Sequence, residues 1–480
     1  GSRDLVLQNG DVVSRFFEQS ACDAAAAQVA RLSPHDGRLQ SRLVATCLAA
    51  HSAPDLTPGL APGFGRSDDP ENGFLRPRKS GNDAPSVERT VGAARRLCDL
   101  LAEEAVTIDE GRGGEDSVGW FGAKYCPRHR RYDVTLGNLD LVSGNGGIAL
   151  FASALYAVDG YGPAKDLAAA AAGVLRRSSR TIPGALDGEK PLDLGVGTGV
   201  GALMYSLVHI ARHLDDTTFL GDAQVIAEHL TPEVFDRSAA PDVLSGTAGS
   251  LLALLALHEA TGDPSLLDRA EVGGEHLLHS LAHRTDEEPI PSGAARGRSG
   301  IALSLARLYQ ATGHEAFRQG LLQMVAAAGD PSASLRSGAA AFSTWTVGQT
   351  GRGLSRLAIL SLDDLPASVR RASLETVETA VADARRHLFR GSDTLGCGRM
   401  GRVDLLLTAG RRLNRPDLAH LARRAVEAGR SWAGGSDYRT DWGGDDRHPG
   451  LLHGLAGIGY QLLRTRHPDA LPSVLLWEAS

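Results

Sequence analysis

The sequence Gly144-Asn-Gly-Gly147, followed by the apolar run Ile148-Ala-Leu-Phe151, is the strongest structural signal in this chain. The same phrase, in which two glycines are separated by two residues and an apolar run follows, recurs along the chain. Its other copies are Gly246-Thr-Ala-Gly249, Gly297-Arg-Ser-Gly300, Gly348-Gln-Thr-Gly351, Gly398-Arg-Met-Gly401, Gly454-Leu-Ala-Gly457 and the weaker Thr198-Gly-Val-Gly201. The last glycines lie at 147, 201, 249, 300, 351, 401 and 457, and so near-constant a period is typical of repeat proteins.

Each repeat predicts a helical hairpin, because apolar residues recur at helical spacing after the glycines and a second amphipathic segment follows. Glycine at the start of a helix lets another part of the backbone, or a ligand, approach closely. Seven hairpins can stack as an open solenoid or close into a ring. In a ring the glycine ends converge on one face around a central cavity, while most of the glycines serve close helix packing.

The composition excludes several classes of protein. The hydrophobic content of 42% and charged content of 22% are ordinary for a globular protein. A net charge of -7 without a long basic stripe argues against a nucleic-acid partner. The sequence contains no apolar run of about 18 residues, so no membrane span is predicted. The five cysteines are too scattered for a disulfide framework, so we expect a cytoplasmic location.

The chain divides into three predicted regions. Residues 1–50 form a helical extension, with helical pattern at 12–17, 24–32 and 39–48. Residues 51–90 are rich in Pro, Gly and Ser and predict a linker, although a helix is expected from about Val87. Residues 91–480 contain the repeats. Ahead of the first repeat, residues 107–138 are glycine-rich and charged, which predicts a loop. The arginines around Cys126 and His129 favour a solvated basic loop over a metal site.

Aspartates precede several of the glycine phrases. Asp140 and Asp242 each lie four residues before the first glycine, and Asp193 and Asp393 have nearly the same offset. One interpretation is that they brace helix N-termini, where negative charge is favourable. The other places one or more of them in the cavity as an acid or base. For Asp140 both interpretations stay open, and for the others we favour the structural role.

The repeats resemble the lanthionine synthetase C-like superfamily, specifically the cyclase region of class II lanthipeptide synthetases. The segment from Leu139 to Phe151 is similar to the first glycine motif of that family. Residues 450–464 and 471–476 are similar to its C-terminus, and residues 32–40 to the segment that joins dehydratase and cyclase. The resemblance implies an all-α fold, an α/α toroid of seven helical hairpins with glycine-rich loops converging on a central cavity. It leaves open whether the chain is part of a longer synthetase or a stand-alone relative.

The resemblance also implies an activity. Such cyclases add the thiol of a peptide cysteine to a dehydroamino acid and so form a thioether ring in a dehydrated precursor peptide. They use zinc to activate the thiolate, since zinc lowers the pKa of a bound thiol and leaves one coordination position open. The partners implied are that precursor peptide and a dehydratase domain or protein.

The chain departs from the family at the positions that carry the chemistry. Thr346, after Trp345, stands where the first zinc cysteine is expected, and Gly396-Cys397 stand where two adjacent ligands are expected. One retained thiol does not make a zinc site, so no cofactor is expected. Arg296 replaces the catalytic histidine, and an arginine stays protonated and cannot act as a base. Asp140 alone matches.

Three functions remain open at this point. The first is a zinc-independent cyclase with Asp140, Arg296 and His453 as catalytic residues and with Trp345, Thr346, Cys397 and Asp242 lining the substrate cavity. The second is a catalytically inactive module that binds a precursor peptide or a partner modification enzyme. The third is an enzyme of another class on the same fold, such as a glycan-processing enzyme with paired carboxylates. The seven glycine phrases and the C-terminal resemblance argue against the third.

Overall fold

A computed structural model describes most of the chain. The described residues are 3–6, 11–16, 18–30, 33, 36–37, 39–41, 43–44, 47, 87–108, 117–126, 131–186, 188, 192–238, 240–284, 290–327, 343–430, 438–440 and 448–479. The chain forms two compact units, Gly1–Leu48 and Ala49–Ser480. Most of the predicted linker, residues 51–86, lies outside the described residues. No helix in the described part of the chain is long and apolar enough to cross a membrane.

The N-terminal unit is only partly helical. Strand β1 (Leu5–Val6) pairs antiparallel with β2 (Val12–Val13), and helix α1 spans Ala21–Ala30. The helix predicted over residues 12–17 is therefore wrong. The two consecutive β-branched valines favour an extended backbone, which tertiary pairing with Leu5 and Val6 stabilises.

The second unit is a ring of helical hairpins, so the predicted all-α toroid is confirmed. Seven helices that follow the glycine loops form its inner layer: α3 (Asn145–Asp159), α5 (Val200–Leu214), α8 (Thr247–Thr261), α10 (Arg298–Thr312), α12 (Gln349–Ile359), α14 (Arg399–Arg412) and α16 (Leu455–Arg464). Their outer partners are α4 (Gly162–Leu186), α6 (Thr218–Glu228), α9 (Pro264–Ala282), α11 (Glu315–Ala326), α13 (Ala367–Arg386), α15 (Pro416–Arg430) and α2 (Val87–Glu103), and α7 (Pro232–Asp236) is a short connection. Inner helices are buried nearly all round, whereas outer helices bury one face.

The ring is closed rather than open. Each inner helix packs against the next one, and the last, α16, packs against the first, α3. The outer partner of α16 is α2, which begins at Val87, before the predicted boundary at residue 91. The seventh hairpin therefore joins a helix from the start of the unit to one from its end.

Each inner helix begins at a glycine, which we call its cap glycine: Gly144, Gly199, Gly246, Gly297, Gly348, Gly398 and Gly454. In the weak second copy the cap is Gly199, and Ala202 occupies the position of the later glycine, so the predicted alignment of Thr198 with a first glycine is wrong by one residue. The later glycines permit close backbone approach: a Cβ on Gly457 would lie 1.7 Å from the carbonyl oxygen of Leu451.

Two β-hairpins lie between α2 and α3, where a loop was predicted. Strand β3 (Val106–Ile108) pairs with β4 (Ser117–Gly119), and β5 (Phe121–Cys126) pairs with β6 (Arg131–Leu136). Part of the glycine and charge content that suggested a loop belongs to these strands, and the rest lies in residues 109–116 and 127–130, outside the described residues. Strand β5 reaches the first glycine loop, where a Cβ on Gly122 would lie 3.4 Å from the carbonyl oxygen of Ser143.

The segment 471–479 lies in the centre of the ring, and we call this region the floor. Its Glu478 carbonyl accepts hydrogen bonds from Tyr205 (2.8 Å) and His209 (3.1 Å), and its Glu478 carboxylate pairs with Arg307 (3.1 Å) and Arg412. These partners lie on α5, α10 and α14, on different sides of the ring. A segment that touches all three helices must lie between them.

Candidate functional site

The seven glycine loops are joined edge to edge at one end of the ring, which we call the mouth. A backbone hydrogen bond links each loop to the next, and the last loop to the first. The N–H to O=C pairs are Leu141 to Gly197, Gly197 to Leu244, Leu244 to Ala295, Ala295 to Thr346, Trp345 to Gly396, Gly396 to Leu452 and Leu451 to Leu141. This closed circle holds the loop backbones in a fixed frame, so that differences in chemistry between loops come from side chains.

The residue before each cap glycine occupies the same place in every loop, and we call these seven the mouth residues. They are Ser143, Thr198, Ser245, Arg296, Val347, Cys397 and His453. Thr198, Ser245 and Arg296 are half-buried and Val347 is 38% exposed, whereas Ser143, Cys397 and His453 are buried. Of the seven, Arg296, Cys397 and His453 carry groups that suit acid–base or thiol chemistry.

Asp140 organises the first loop. Its carboxylate accepts hydrogen bonds from the backbone N–H of Ser143 (2.7 Å), the Ser143 hydroxyl (3.2 Å) and the Asn138 amide (2.5 Å). Asp140 is only 3% exposed. The structure thus displays the bracing role that the sequence left open for Asp140, and places the carboxylate beside the mouth residue Ser143.

Asp242 makes the same turn in the third loop. It accepts from the backbone N–H of Ser245 (2.8 Å) and from its hydroxyl (3.2 Å). Here, unlike in the first loop, an arginine from the next loop approaches: Nη1 of Arg296 donates to the Ser245 hydroxyl at 3.2 Å and lies 3.7 Å from Oδ2 of Asp242. Two predicted site residues, Asp242 and Arg296, therefore belong to one cluster.

Thr346 and Cys397 meet on the other side of the mouth. The Thr346 hydroxyl oxygen lies 3.6 Å from the Cys397 sulfur, and both residues are buried. His453 approaches the same loop, since a Cβ on Gly396 would lie 3.6 Å from Cε1 of its ring. We refer to Thr346, Cys397 and the ring of His453 beside Gly396 as the second cluster.

The residues of this second cluster do not fit a zinc ion. Across a tetrahedral zinc two sulfur ligands are separated by roughly 3.8 Å, so the 3.6 Å between Thr346 Oγ1 and Cys397 Sγ is the right spacing for ligands. However, a threonine hydroxyl and a glycine supply no thiolate or imidazole. Among the described residues no three His, Cys, Asp or Glu side chains converge as metal ligands.

Trp345 was predicted to line the cavity, but its side chain belongs to the floor. The indole N–H donates to the carbonyl oxygen of Leu475 (3.1 Å), and the ring stacks edge-on against Trp477 with centroids 5.9 Å apart. Trp345 is 1% exposed. Its backbone is part of the mouth, and its side chain anchors the C-terminal segment.

The remaining aspartates also contact the glycine loops and the helices that follow them. Asp193 accepts from the hydroxyl of the mouth residue Thr198 (2.7 Å), and Asp393 pairs with Arg399 (3.0 Å). Sequence reasoning missed Ser143 and Ser245. The signal was present, because the pattern Asp-x-x-Ser-Gly occurs in both Asp140–Gly144 and Asp242–Gly246.

Ser343, Asp383 and His387 form a cluster that superficially resembles a catalytic triad. The Ser343 hydroxyl and the Asp383 carboxylate both face Nδ1 of His387, at 3.2 Å and 3.0 Å. In a catalytic triad the serine and the acid contact opposite ring nitrogens. This cluster therefore caps the end of α13 and is not built for nucleophilic catalysis.

Comparison with known proteins gives one family. A sequence profile described as "Lanthionine synthetase C-like protein" matches residues 135–476. No curated protein matches the chain's sequence.

Solved structures with similar folds include nisin cyclase, which is 18% identical over 71% of this chain and 92% of its own, with a TM-score of 0.49. The unsaturated glucuronyl hydrolase from Bacillus sp. GL1 is 13% identical over 75% of this chain and 100% of its own, with a TM-score of 0.40.

Proposed function

Because the chain belongs to the lanthionine synthetase C-like family, we propose that it forms thioether rings in a dehydrated precursor peptide without a zinc-bound thiolate. The observation that carries the proposal is the second cluster at the mouth. The proposal is supported by the approach of the His453 ring to the loop that carries Cys397.

The reaction needs one proton transfer in each direction. His453 accepts the proton of the peptide cysteine as its sulfur attacks the β-carbon of the dehydroamino acid. As the carbon–sulfur bond forms, the electrons of the carbon–carbon double bond move towards the carbonyl oxygen and give an enolate. The imidazolium then returns the proton to the α-carbon. Holding both groups in one closed mouth supplies much of the rate by proximity.

The other predicted catalytic residues have supporting roles in this proposal. Asp140 fixes the loop that carries Ser143, and its hydrogen bonds occupy both carboxylate oxygens. Arg296 contacts the bound peptide through its guanidinium, which remains protonated. Neither residue moves a proton.

Ring formation by the chelator-treated chain tests the proposal. The chain is incubated with a peptide that contains cysteine and dehydroalanine, and unreacted thiols are counted by mass spectrometry after alkylation. We expect loss of thiol well above the buffer rate, and His453→Gln to slow it by about 100-fold. Equal rates with and without the chain would refute the proposal.

A matched pair of substitutions checks the loop assignment. Asp140→Asn and Asp242→Asn alter the same turn in two loops, and only the first loop corresponds to the family's catalytic position. We expect Asp140→Asn to reduce ring formation more strongly than Asp242→Asn. The reverse order would place the reacting groups on the Arg296 side of the mouth.

A second function is favoured by the residues that replace the family's catalytic and zinc-binding groups at the mouth. In this function the chain is a catalytically inactive module that binds the precursor peptide or a partner such as a dehydratase. Thr346, Gly396 and Arg296 replace groups that the family uses for chemistry. This function requires peptide binding with no acceleration over buffer, so the thiol-counting assay separates the two.

Rebuilding ligands separates loss of zinc from loss of the site. In Thr346→Cys/Gly396→Cys the native Cys397 completes three thiols, and the 3.6 Å spacing between the side chains of residues 346 and 397 already suits zinc. We expect about one zinc per chain by elemental analysis. The control variant Thr346→Ser/Gly396→Ala should gain no zinc. Failure to gain zinc would show that the loops are displaced from a ligating arrangement.

A further inference from the structure

The guanidinium of Arg296 has one edge in use and one edge free. Nη1 faces the Ser245 hydroxyl and the Asp242 carboxylate. Nε is buried and has no hydrogen-bond partner. Among the described residues, the contacts of the guanidinium run through Nη1 and leave Nη2 beside the unpartnered Nε. The free edge therefore consists of two neighbouring N–H donors, one of them buried without an acceptor.

Such an edge has a defined chemical complement. The Nε–H and Nη2–H bonds are parallel and match the two oxygens of a carboxylate in a bidentate pair. A buried donor without an acceptor is unfavourable, so an incoming carboxylate relieves a cost that the free protein carries. The Arg296 side chain is 34% exposed, which leaves a route for such a ligand.

The position of Arg296 in the mouth favours a stable carboxylate, rather than the transient enolate, as its ligand. Arg296 lies between Ser245 and Val347, two loops from Cys397 and three from His453. An enolate presents a single oxygen and forms where the thiol adds, on the side of the second cluster. The fork of Arg296 lies across the mouth from that point and offers two donors.

We propose that Arg296 binds a carboxylate of the substrate peptide and so selects peptides with an acidic group near the reacting cysteine. Asp242 and Ser245 hold the opposite edge and fix the fork. The carboxylate belongs to an Asp or Glu side chain or to the peptide C-terminus. The identification of the ligand as a peptide rests on the proposed function, and the carboxylate preference rests on the free edge.

Binding of three fluorescein-labelled peptides tests this site. All contain one cysteine and one dehydroalanine in the same sequence. The first has Glu before the cysteine and a C-terminal amide, the second Gln and a C-terminal acid, and the third Gln and an amide. We expect one of the first two to bind about tenfold more tightly than the third, measured by fluorescence anisotropy. Which one binds tightly identifies the source of the carboxylate.

Variants tie the preference to the guanidinium. Arg296→Gln is expected to reduce the tenfold ratio to about one, and Arg296→Lys, which keeps the charge and loses the fork, to retain only part of it. Arg298→Gln is the matched control, because Arg298 points away from the mouth and donates to the carbonyl oxygen of Ala327 at 2.5 Å. The control should keep the full ratio.

The outcomes distinguish this inference from the cyclase proposal. Equal binding of all three peptides, no binding of any, or a preference that survives Arg296→Gln would overturn the carboxylate site. The same peptides are also scored for thiol loss. A carboxylate preference without thiol loss would sustain the site and refute the cyclase, and thiol loss without a preference would do the reverse.

Discussion

The mouth and the floor of the ring both gather charged side chains, but they use them differently. At the floor, Asp404 and Arg464 are 1% and 4% exposed, their atoms Oδ1 and Nη1 are 2.6 Å apart, and Ser473 donates to the second oxygen of Asp404. At the mouth, Arg296 is 34% exposed, lies 3.7 Å from its carboxylate and keeps an unpaired edge. Both oxygens of the floor carboxylate Asp404 are held closely by buried partners, whereas the Arg296 pair at the mouth is longer and partly open to solvent.

This difference divides stability from function. Loss of a matched buried charge leaves its partner without compensation, so substitutions in the floor should unfold the ring. Loss of an exposed, loosely held charge removes a ligand contact and little else. The predictions that follow test this division in order of their expected effect on the free energy of unfolding.

Arg464→Leu should have the largest effect. It leaves the Asp404 carboxylate buried without its cation, and we expect a loss of about 3–5 kcal/mol in urea unfolding. Arg95→Leu provides the control, because it breaks an equally short pair with Asp159 at 2.6 Å on the surface. If the two variants lose similar amounts, burial does not distinguish the floor.

Gly457→Ala tests the close approach between the last glycine loop and its inner helix. The added Cβ would lie 1.7 Å from the carbonyl oxygen of Leu451, so loop and helix must separate, at a cost of about 1–3 kcal/mol. Gly221→Ala is the control, because no heavy atom lies within 4 Å of its added Cβ, and alanine should stabilise that helix by about 0.5–1 kcal/mol. Opposite signs in urea unfolding are expected, and equal signs would contradict the close approach.

The floor should also weaken in acid. Burial, with Arg212 nearby, lowers the pKa of His209 to about 3 from its ordinary 6.5, and burial places the pKa of His213 well below 6.5. Folding therefore favours both neutral rings. Their contribution is complete above pH 6.5 and declines as the pH falls towards 3, by about 1.4 kcal/mol per pH unit for each ring once the unfolded state is protonated.

Unfolding by urea between pH 6.5 and 5 measures this slope. His209→Gln retains a donor for the Glu478 carbonyl and cannot titrate, so the slope should decrease by about one proton. An unchanged slope in the variant would mean that His209 is accessible to protons in the folded ring.

Arg296→Gln should have the smallest effect on stability. Its side chain is a third exposed and its contacts to Ser245 and Asp242 are long, so we expect a change within about 0.5 kcal/mol in urea unfolding. A loss comparable to that of Arg464→Leu would place Arg296 among the matched charges and remove the contrast between mouth and floor.

The glycine period was sufficient to predict seven helical hairpins, because each copy marks the point where a loop meets a buried helix. Closure of the hairpins into a ring was implied by the family resemblance and not by the period. The register of the weak copy was not predictable in this way. Gly199 and Gly201 both fit the pattern by eye, and the start of helix α5 at Val200 identifies Gly199 as the cap.

The candidate site was predictable at the level of residue type and not of orientation. Trp345 and Thr346 are adjacent, yet one side chain joins the floor and the other meets Cys397. Neighbouring residues in an extended loop point in opposite directions, and the sequence does not say which way. The β-hairpins before α3 were missed for a related reason, since glycine and charge in short surface strands resemble a loop.

The seventh hairpin, in which α2 packs against α16, imposes an order on biosynthesis. The first helix of the ring emerges from the ribosome long before its partner is translated. Until then the apolar face of α2, which includes Leu97, Cys98 and Leu101, lacks one of the surfaces that bury it. Contacts between residues so distant in sequence also form slowly. The nascent ring is therefore a natural client for chaperones, and any truncation that removes α16 leaves α2 without its hairpin partner and opens the ring beside α3.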